Sequence, residues 1–205
     1  MLEKFKDEII AFGKIAGDRN LTPGISGNIS IRCGNNVIIT ASGSSNSFLS
    51  YEDLCVIDLD GNLIEGTKAS SEKFLHLEYY KKRQDITAIC HFHSPYLTAF
   101  ASCGVSITDK ILPEIVFMFD EIPCAEYSLP GSVKLVEYTA KYFDKYNLIL
   151  MKNHGVISAG KDLKEAYLNM ELCEAYAKTF ILSKFLGGAK MLTEEQVKEI
   201  YSLKK

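Results

Sequence analysis

The stretch Thr87-Ala88-Ile89-Cys90-His91-Phe92-His93 decides how the rest of the chain is read. Its β-branched and small apolar residues predict a strand. Side chains alternate across a strand, so His91 and His93, two residues apart, are aimed at one face. Two imidazoles converging from one strand make half of a metal site. A second apolar run, Leu148-Ile149-Leu150-Met151, leads into Asn153-His154-Gly155 and offers a third ligand. Three of the four histidines therefore fall at predicted strand ends, where α/β proteins place their chemistry.

Outward from these strands the chain punctuates itself clearly. Residues 2–19 read as an amphipathic helix with Phe5, Ile9, Phe12 and Ala16 along one face. Strands are predicted at 28–32 and 37–40, joined by Gly34-Asn35-Asn36 as a hairpin turn. A second hairpin, 56–59 and 62–65, turns at Asp60-Gly61. Ser70-Ser71-Glu72 opens a helix that ends before Asp85, with serine as N-cap and Glu72 in the first turn, favoured by the helix dipole. Ser94-Pro95 opens another, stopped at Gly104. Gly131-Ser132 starts a helix to about residue 144, and Asp162-x-x-Glu165 starts a long one to about residue 186. The stripe Leu163, Ala166, Tyr167, Met170, Cys173, Ala177, Phe180 on that helix reads as core or subunit contact. Thr193-x-x-Gln196 caps a last short helix. The expectation is one α/β domain over 1–205, with hairpins early and helices late.

Bulk composition narrows the function classes. The 205 residues are 47% apolar and 24% charged, enough for one full core. A net charge of −3 argues against nucleic acid or an acidic membrane as principal partner. No apolar run reaches the roughly 18 residues of a spanning helix, and the mixed-charge start Met1-Leu2-Glu3-Lys4 is not a secretory signal. Six cysteines stand singly, with no C-x-x-C pair. They read as small buried hydrophobes in a reducing, cytoplasmic compartment.

Catalytic zinc sites use three protein ligands and keep a position open. His91, His93 and His154 supply three neutral imidazoles if their strands are neighbours, and Glu72 places a carboxylate at a helix head. Zinc suits such a set, though other divalent ions compete for it. The fourth histidine, His76, lies one turn beyond Glu72 and reads as a buried hydrogen-bonding residue. Three small-residue segments, Gly27-Asn28, Ser42-Gly43 and Ser70-Ser71, offer amides and hydroxyls to one phosphate. Each alone reads as a turn; their joint occurrence beside a metal constellation carries the phosphate reading. Neither G-x-x-x-x-G-K-[ST] nor G-x-G-x-x-G occurs, so nucleotide binding lacks support.

Taken together, Gly27-Asn28-Ile29-Ser30, Thr40-Ala41-Ser42-Gly43, Ser70-Ser71-Glu72, His91-Phe92-His93, Ile122-Pro123-Cys124-Ala125 and Asn153-His154-Gly155 resemble the class II aldolase/adducin family, in family order over nearly the whole chain. The resemblance implies a central, mostly antiparallel or mixed sheet flanked by helices. It implies Zn²⁺ on His91, His93 and His154, with Glu72 as acid/base and as a possible resting-state ligand. Asn28, Ser42, Gly43, Ser70 and Ser71 would bind the phosphate of a small sugar phosphate. Implied too are a homotetramer with active sites between subunits and cleavage of a ketose 1-phosphate to dihydroxyacetone phosphate and a small aldehyde through an enediolate. Two departures stand out. Phe117 occupies the place of a family tyrosine that serves the aldehyde oxygen, and the family's C-terminal tyrosine has no clear counterpart, the chain stopping at Lys205 soon after Tyr201. Tyr127, Glu121 and a metal-bound water are candidate substitutes. The same metal site also suits a dehydratase of the methylthioribulose-1-phosphate type or a pentulose-phosphate 4-epimerase, although epimerases of the family carry aspartate where Glu72 stands. A non-catalytic, adducin-like module is disfavoured because such modules lack the three histidines.

Overall fold

Alternating side chains divide one sheet between two cores. The computed structural model describes residues 2–203; Met1, Lys204 and Lys205, at the limits of the expected domain, lie outside the described residues. Helix α1 (Leu2–Asp18) leads to strands β1 (Asn28–Cys33), β2 (Asn36–Thr40), β3 (Leu54–Asp58) and β4 (Leu63–Glu65), then helix α2 (Lys73–Lys82). Strand β5 (Ala88–Phe92), helices α3 (Pro95–Cys103) and α4 (Pro113–Met118), strand β6 (Cys124–Ala125) and helix α5 (Val133–Ala140) follow. Strands β7 (Leu148–Met151) and β8 (Gly155–Gly160) and helices α6 (Leu163–Phe185) and α7 (Glu194–Ser202) complete the order.

The eight strands form one mixed sheet in the order β4-β3-β2-β1-β5-β8-β7-β6. All pairings are antiparallel except β6 with β7. On β5, Ala88, Cys90 and Phe92 enter the core beneath α1, α3 and α6, whereas Ile89 enters the core beneath α2 and α5. Strand β7 splits the same way, Leu148 and Leu150 against Ile149 and Met151. Burial on both faces explains why these strands read as unbroken apolar runs.

Helix α1 turns Ile9 and Ala16 inward as expected, and it also buries Lys6, whose ammonium pairs with Glu65 of β4. Three expectations need correction. The α2 N-cap is Glu72 rather than a serine; its φ of −97° and ψ of 11° place it before the first turn. Ser70 instead closes the preceding turn, its Oγ accepting the Glu72 amide at 3.3 Å. Helix α5 stops at Ala140 because residues 141–144 tighten into turns, Tyr142 donating to the Thr139 carbonyl. Strand β3 begins two residues earlier than predicted, extended by its ladder to β2. Ser94 is the α3 N-cap but makes no side-chain cap bond. Glu174 of α6, buried, takes that role: its two oxygens accept the Tyr96 and Leu97 amides, each at 2.8 Å. Negative charge at a helix N-terminus is favourable, and this one fixes the chain directly after His93.

Candidate active site

Register places the site. Strand β5 lies between β1 and β8, with Asn28 opposite His91 and His91 opposite Ile157. The β7–β8 turn then delivers His154 beside them. Asn153 makes that turn with φ at 54°, a left-handed conformation asparagine tolerates. Its amide donates to the Ala101 carbonyl and its side chain to the Ser102 carbonyl at 3.3 Å, tying the turn to α3. Gly155 must be glycine for space: a Cβ there would lie 2.6 Å from the Phe92 carbonyl oxygen and 2.7 Å from His93 Cδ2. Gly27, with φ at 77°, likewise lets its loop press on β5, where a Cβ would sit 2.4 Å from the His91 carbonyl oxygen.

The three imidazoles fit a metal ion. One nitrogen from each of His91, His93 and His154 lies within 4.8 Å of the others. His91 Nδ1 lies 3.0 Å from the Val156 carbonyl oxygen; a carbonyl only accepts, so Nδ1 carries the proton and Nε2 presents its lone pair. That Nε2 is 3.2 Å from His93 Nε2. Two nitrogens each about 2.0–2.1 Å from a tetrahedral zinc lie roughly 3.3 Å apart. Glu72 completes the arrangement, Oε2 at 3.0 Å from His91 Nε2 and Oε1 at 3.3 Å from His154 Nε2. Glu72 Oε1 and His154 Nδ1 are buried without hydrogen-bond partners, as expected of groups arranged around a cation.

Electrostatics hold two of the three imidazoles in the neutral, ligating state. Burial lowers His93 to about 4 and His154 to about 3, reinforced by His91, so both are neutral near pH 7. Burial opposes charge on Glu72, but His91, His154 and the Asn28 amide together hold its carboxyl well below the usual range. His91 is pushed down by burial, yet Glu72 and the Val156 carbonyl raise it overall. His76, fully buried as expected, falls to about 3 by desolvation and meets Ser30 Oγ at 2.7 Å.

Beside this cluster opens a cavity of about 250 Å³. Asn28, Ser42, Gly43, Ser70 and Ser71 all line it, together with Glu72, His93 and His154. The structure thus brings the expected metal and anion residues to one place, with His91 buried behind. Asn28 donates to Glu72 Oε2 at 3.2 Å. The Ser42 and Ser70 amides are bonded to the Lys68 and Thr40 carbonyls, so these two residues reach a ligand through their hydroxyls. Ile25 and Pro130 also line the cavity; neither stood out in the sequence as a site residue, although Pro130-Gly131 is a turn signal that could have marked the second. Among the described lining residues there is no tyrosine, lysine or arginine. Phe117 lies on α4 in an apolar groove with Leu168, Leu172, Ile200 and Leu203. Tyr201 bonds to Lys110 and Asp120, Glu121 accepts from Tyr146, and Tyr127 is exposed. None of the four is a lining residue of the cavity.

The chain belongs to the Class II Aldolase and Adducin N-terminal domain family, whose model matches residues 7–181. It is an enzyme of the class II, metal-dependent aldolase type, a carbon–carbon lyase. Among similar proteins, the L-fuculose phosphate aldolase of Methanocaldococcus jannaschii is 39% identical over 178 residues, covering 87% of this chain and 96% of that one. The 5-deoxy-D-ribulose 1-phosphate aldolase of Bacillus thuringiensis serovar kurstaki is 35% identical over 203 residues, covering 98% and 95%. The 3-oxo-tetronate 4-phosphate decarboxylase of Haemophilus influenzae is 36% identical over 203 residues, covering 95% of each. A solved L-fuculose 1-phosphate aldolase superposes with a TM-score of 0.88 at 30% identity, covering 98% of this chain and 96% of that one.

Proposed function

We propose that this enzyme is a zinc-dependent aldolase that reversibly cleaves a ketose 1-phosphate to dihydroxyacetone phosphate and a small aldehyde. The observation that carries this reading is the convergence of three imidazoles and the Glu72 carboxylate on a cavity lined by serine hydroxyls. His91, His93 and His154 hold the ion; Asn28, Ser42, Gly43, Ser70 and Ser71 hold the phosphate and so fix the reacting carbons. When bound, zinc supplies the Lewis acidity that stabilises negative charge developing on substrate oxygens. In condensation Glu72, ionised in this environment, takes a proton from C3 of dihydroxyacetone phosphate as a general base. In cleavage a second carrier takes the C4 hydroxyl proton, the C3–C4 bond breaks with its electron pair left on C3, and Glu72, loaded with a proton from solvent, delivers it there.

The aldehyde oxygen needs a second proton carrier. We place it on a neighbouring subunit of a homotetramer, which the exposed apolar residues Phe117, Met118, Leu168 and Leu203 on α4, α6 and the end of α7 support as a contact surface. A cytoplasmic location is supported by six free cysteines; no described helix is long and apolar enough to cross a membrane.

The test is to load the purified protein with zinc and incubate dihydroxyacetone phosphate with lactaldehyde, expecting a ketose phosphate and about one zinc per chain. A protein that retains no zinc would refute the reading. A second reading, decarboxylation of a 3-oxo sugar-acid phosphate, is favoured by the lack of a tyrosine among the described lining residues. Carbon dioxide departs without a proton on oxygen, so one carrier suffices: Glu72, loaded with a proton from solvent, protonates the carbanion. Gas release from 3-oxo-tetronate 4-phosphate, with no aldol product, would select it.

A further inference from the structure

Strand β1 and helix α2 are joined by three polar rungs in step. Asn28 donates to Glu72 at 3.2 Å, Ser30 Oγ meets His76 Nδ1 at 2.7 Å, and Arg32 Nη1 donates to the Tyr80 carbonyl at 3.1 Å. The strand positions are two apart and the helix positions four apart. Two strand residues advance about 6.6 Å and four helical residues about 6.0 Å, so all three rungs close together. The middle rung is the most enclosed: Ser30, His76 and Tyr80 are 0% exposed.

The middle rung also closes on itself. Tyr80 Oη is 2.7 Å from Ser30 Oγ and donates to the Ser30 carbonyl at 3.1 Å. Donors and acceptors then run consistently: His76 Nδ1–H to Ser30 Oγ, Ser30 O–H to Tyr80 Oη, and Tyr80 O–H to the Ser30 carbonyl. Only His76 Nε2 is left unpartnered, and in this tautomer it is an acceptor, which is tolerated better than a buried orphan N–H. An apolar contact would pack this interface equally well but would permit sliding. Directional bonds permit one register.

Register matters here because the α2 N-terminus has no side-chain cap bond from Glu72. The Glu72 carboxylate hangs one helical turn ahead of His76. We propose that His76, held by Ser30 and Tyr80, is a positioning residue that sets where the Glu72 carboxylate stands over the metal and substrate. The inference rests on the reading of Glu72 as the proton carrier. His76 touches neither substrate nor ion and acts through α2.

The test compares His76→Leu, His76→Asn, Ser30→Ala and Glu72→Gln in the zinc-loaded enzyme. The readout is exchange of solvent deuterium into C3 of dihydroxyacetone phosphate, which needs no aldehyde. His76→Leu should lower the exchange kcat about 10- to 100-fold, as loss of an orienting partner does. KM for dihydroxyacetone phosphate and zinc content should stay near wild type. His76→Asn, whose amide reaches the Nδ1 position, should restore most of the rate; Ser30→Ala, a smaller lesion that keeps the fold, should lose kcat to a lesser degree. Equal rates for the leucine and asparagine variants, or a wild-type kcat in His76→Leu while Glu72→Gln is inactive, would overturn the inference alone. Activity in Glu72→Gln would instead remove the reading beneath it. A crystal structure of His76→Leu decides independently of activity: the Asn28–Glu72 bond should open beyond 3.5 Å, and an unchanged Glu72 would refute the positioning role.

Discussion

The proposed metal half and the proposed anion half of the site are built from different materials. The metal half lies in and beside regular structure: His91 is on a central strand at 0% exposure, His154 in a two-strand turn at 8%, and the three rings stand 4.7 to 5.0 Å apart, centre to centre. Apart from Asn28 at the head of β1, the anion half lies on loops, with Ser42, Gly43 and Ser71 exposed. An ion needs its ligands within about 0.2 Å of set distances, so its supports must be stiff. A phosphate accepts donors from many directions, and rotating hydroxyls on loops serve it. The contrast teaches that damage to the first half should be nearly all-or-none and damage to the second graded.

The largest expected effect follows removal of a ligand. His93→Ala should lose zinc and lower turnover by at least about 10³-fold, the scale of several kcal/mol of charge stabilisation. Metal analysis beside a rate measurement checks this, and chelation of the wild type should match it and reverse on adding zinc. Next comes Gly155→Ala, which alters no ligand. Its Cβ would collide with the Phe92 carbonyl and the His93 ring, so zinc affinity should fall and stability drop by about 1–3 kcal/mol. A variant with wild-type zinc affinity would show the metal half to be softer than described.

A pH series on metal-free protein separates the halves further. His76, His93 and His154 have folded pKa values near 3, 4 and 3, below the ordinary 6.5. The unfolded chain therefore binds more protons between those values and 6.5, and stability must fall as pH drops below 6.5. Each such imidazole contributes up to about 1.4 kcal/mol per pH unit. Glu72, held low, adds to the loss as pH falls below its ordinary range, whereas His91, held high, acts in the opposite sense. Urea unfolding at pH 7 and pH 5 should show lower stability at pH 5, and the decline should be shallower in His76→Leu. The smallest effects belong to the anion half. Ser42→Ala or Ser71→Ala should each remove one hydrogen bond worth about 0.5–1.5 kcal/mol, raising KM for dihydroxyacetone phosphate by roughly 2- to 10-fold at constant kcat.

The same division governs how much the sequence reveals. His91, His93 and His154 were legible because strand periodicity is strong and each imidazole sits at or beside a strand end. Both hairpins and the long α6 were legible for similar reasons. The cap of α2 was misread because Ser70 and Glu72 both suit a helix start; the choice between them depends on Asn28 and the histidines, which are remote in sequence. Glu174 left no signal, since it caps α3 from 77 or 78 residues away. Strand β6 has two residues and α4 has six, too short for any period to show. The three segments around Asn28, Ser42 and Ser70 were legible as small-residue clusters, but which amides remain free was decided by loop pairing with Lys68 and Thr40.

The most direct measurement is X-ray absorption at the zinc edge on the loaded protein, paired with the His154→Ala variant. Three imidazole nitrogens at about 2.0–2.1 Å, falling to two in the variant, are the expected result. A spectrum with sulfur ligands, or one that His154→Ala leaves unchanged, would contradict the claim that these three histidines share one ion.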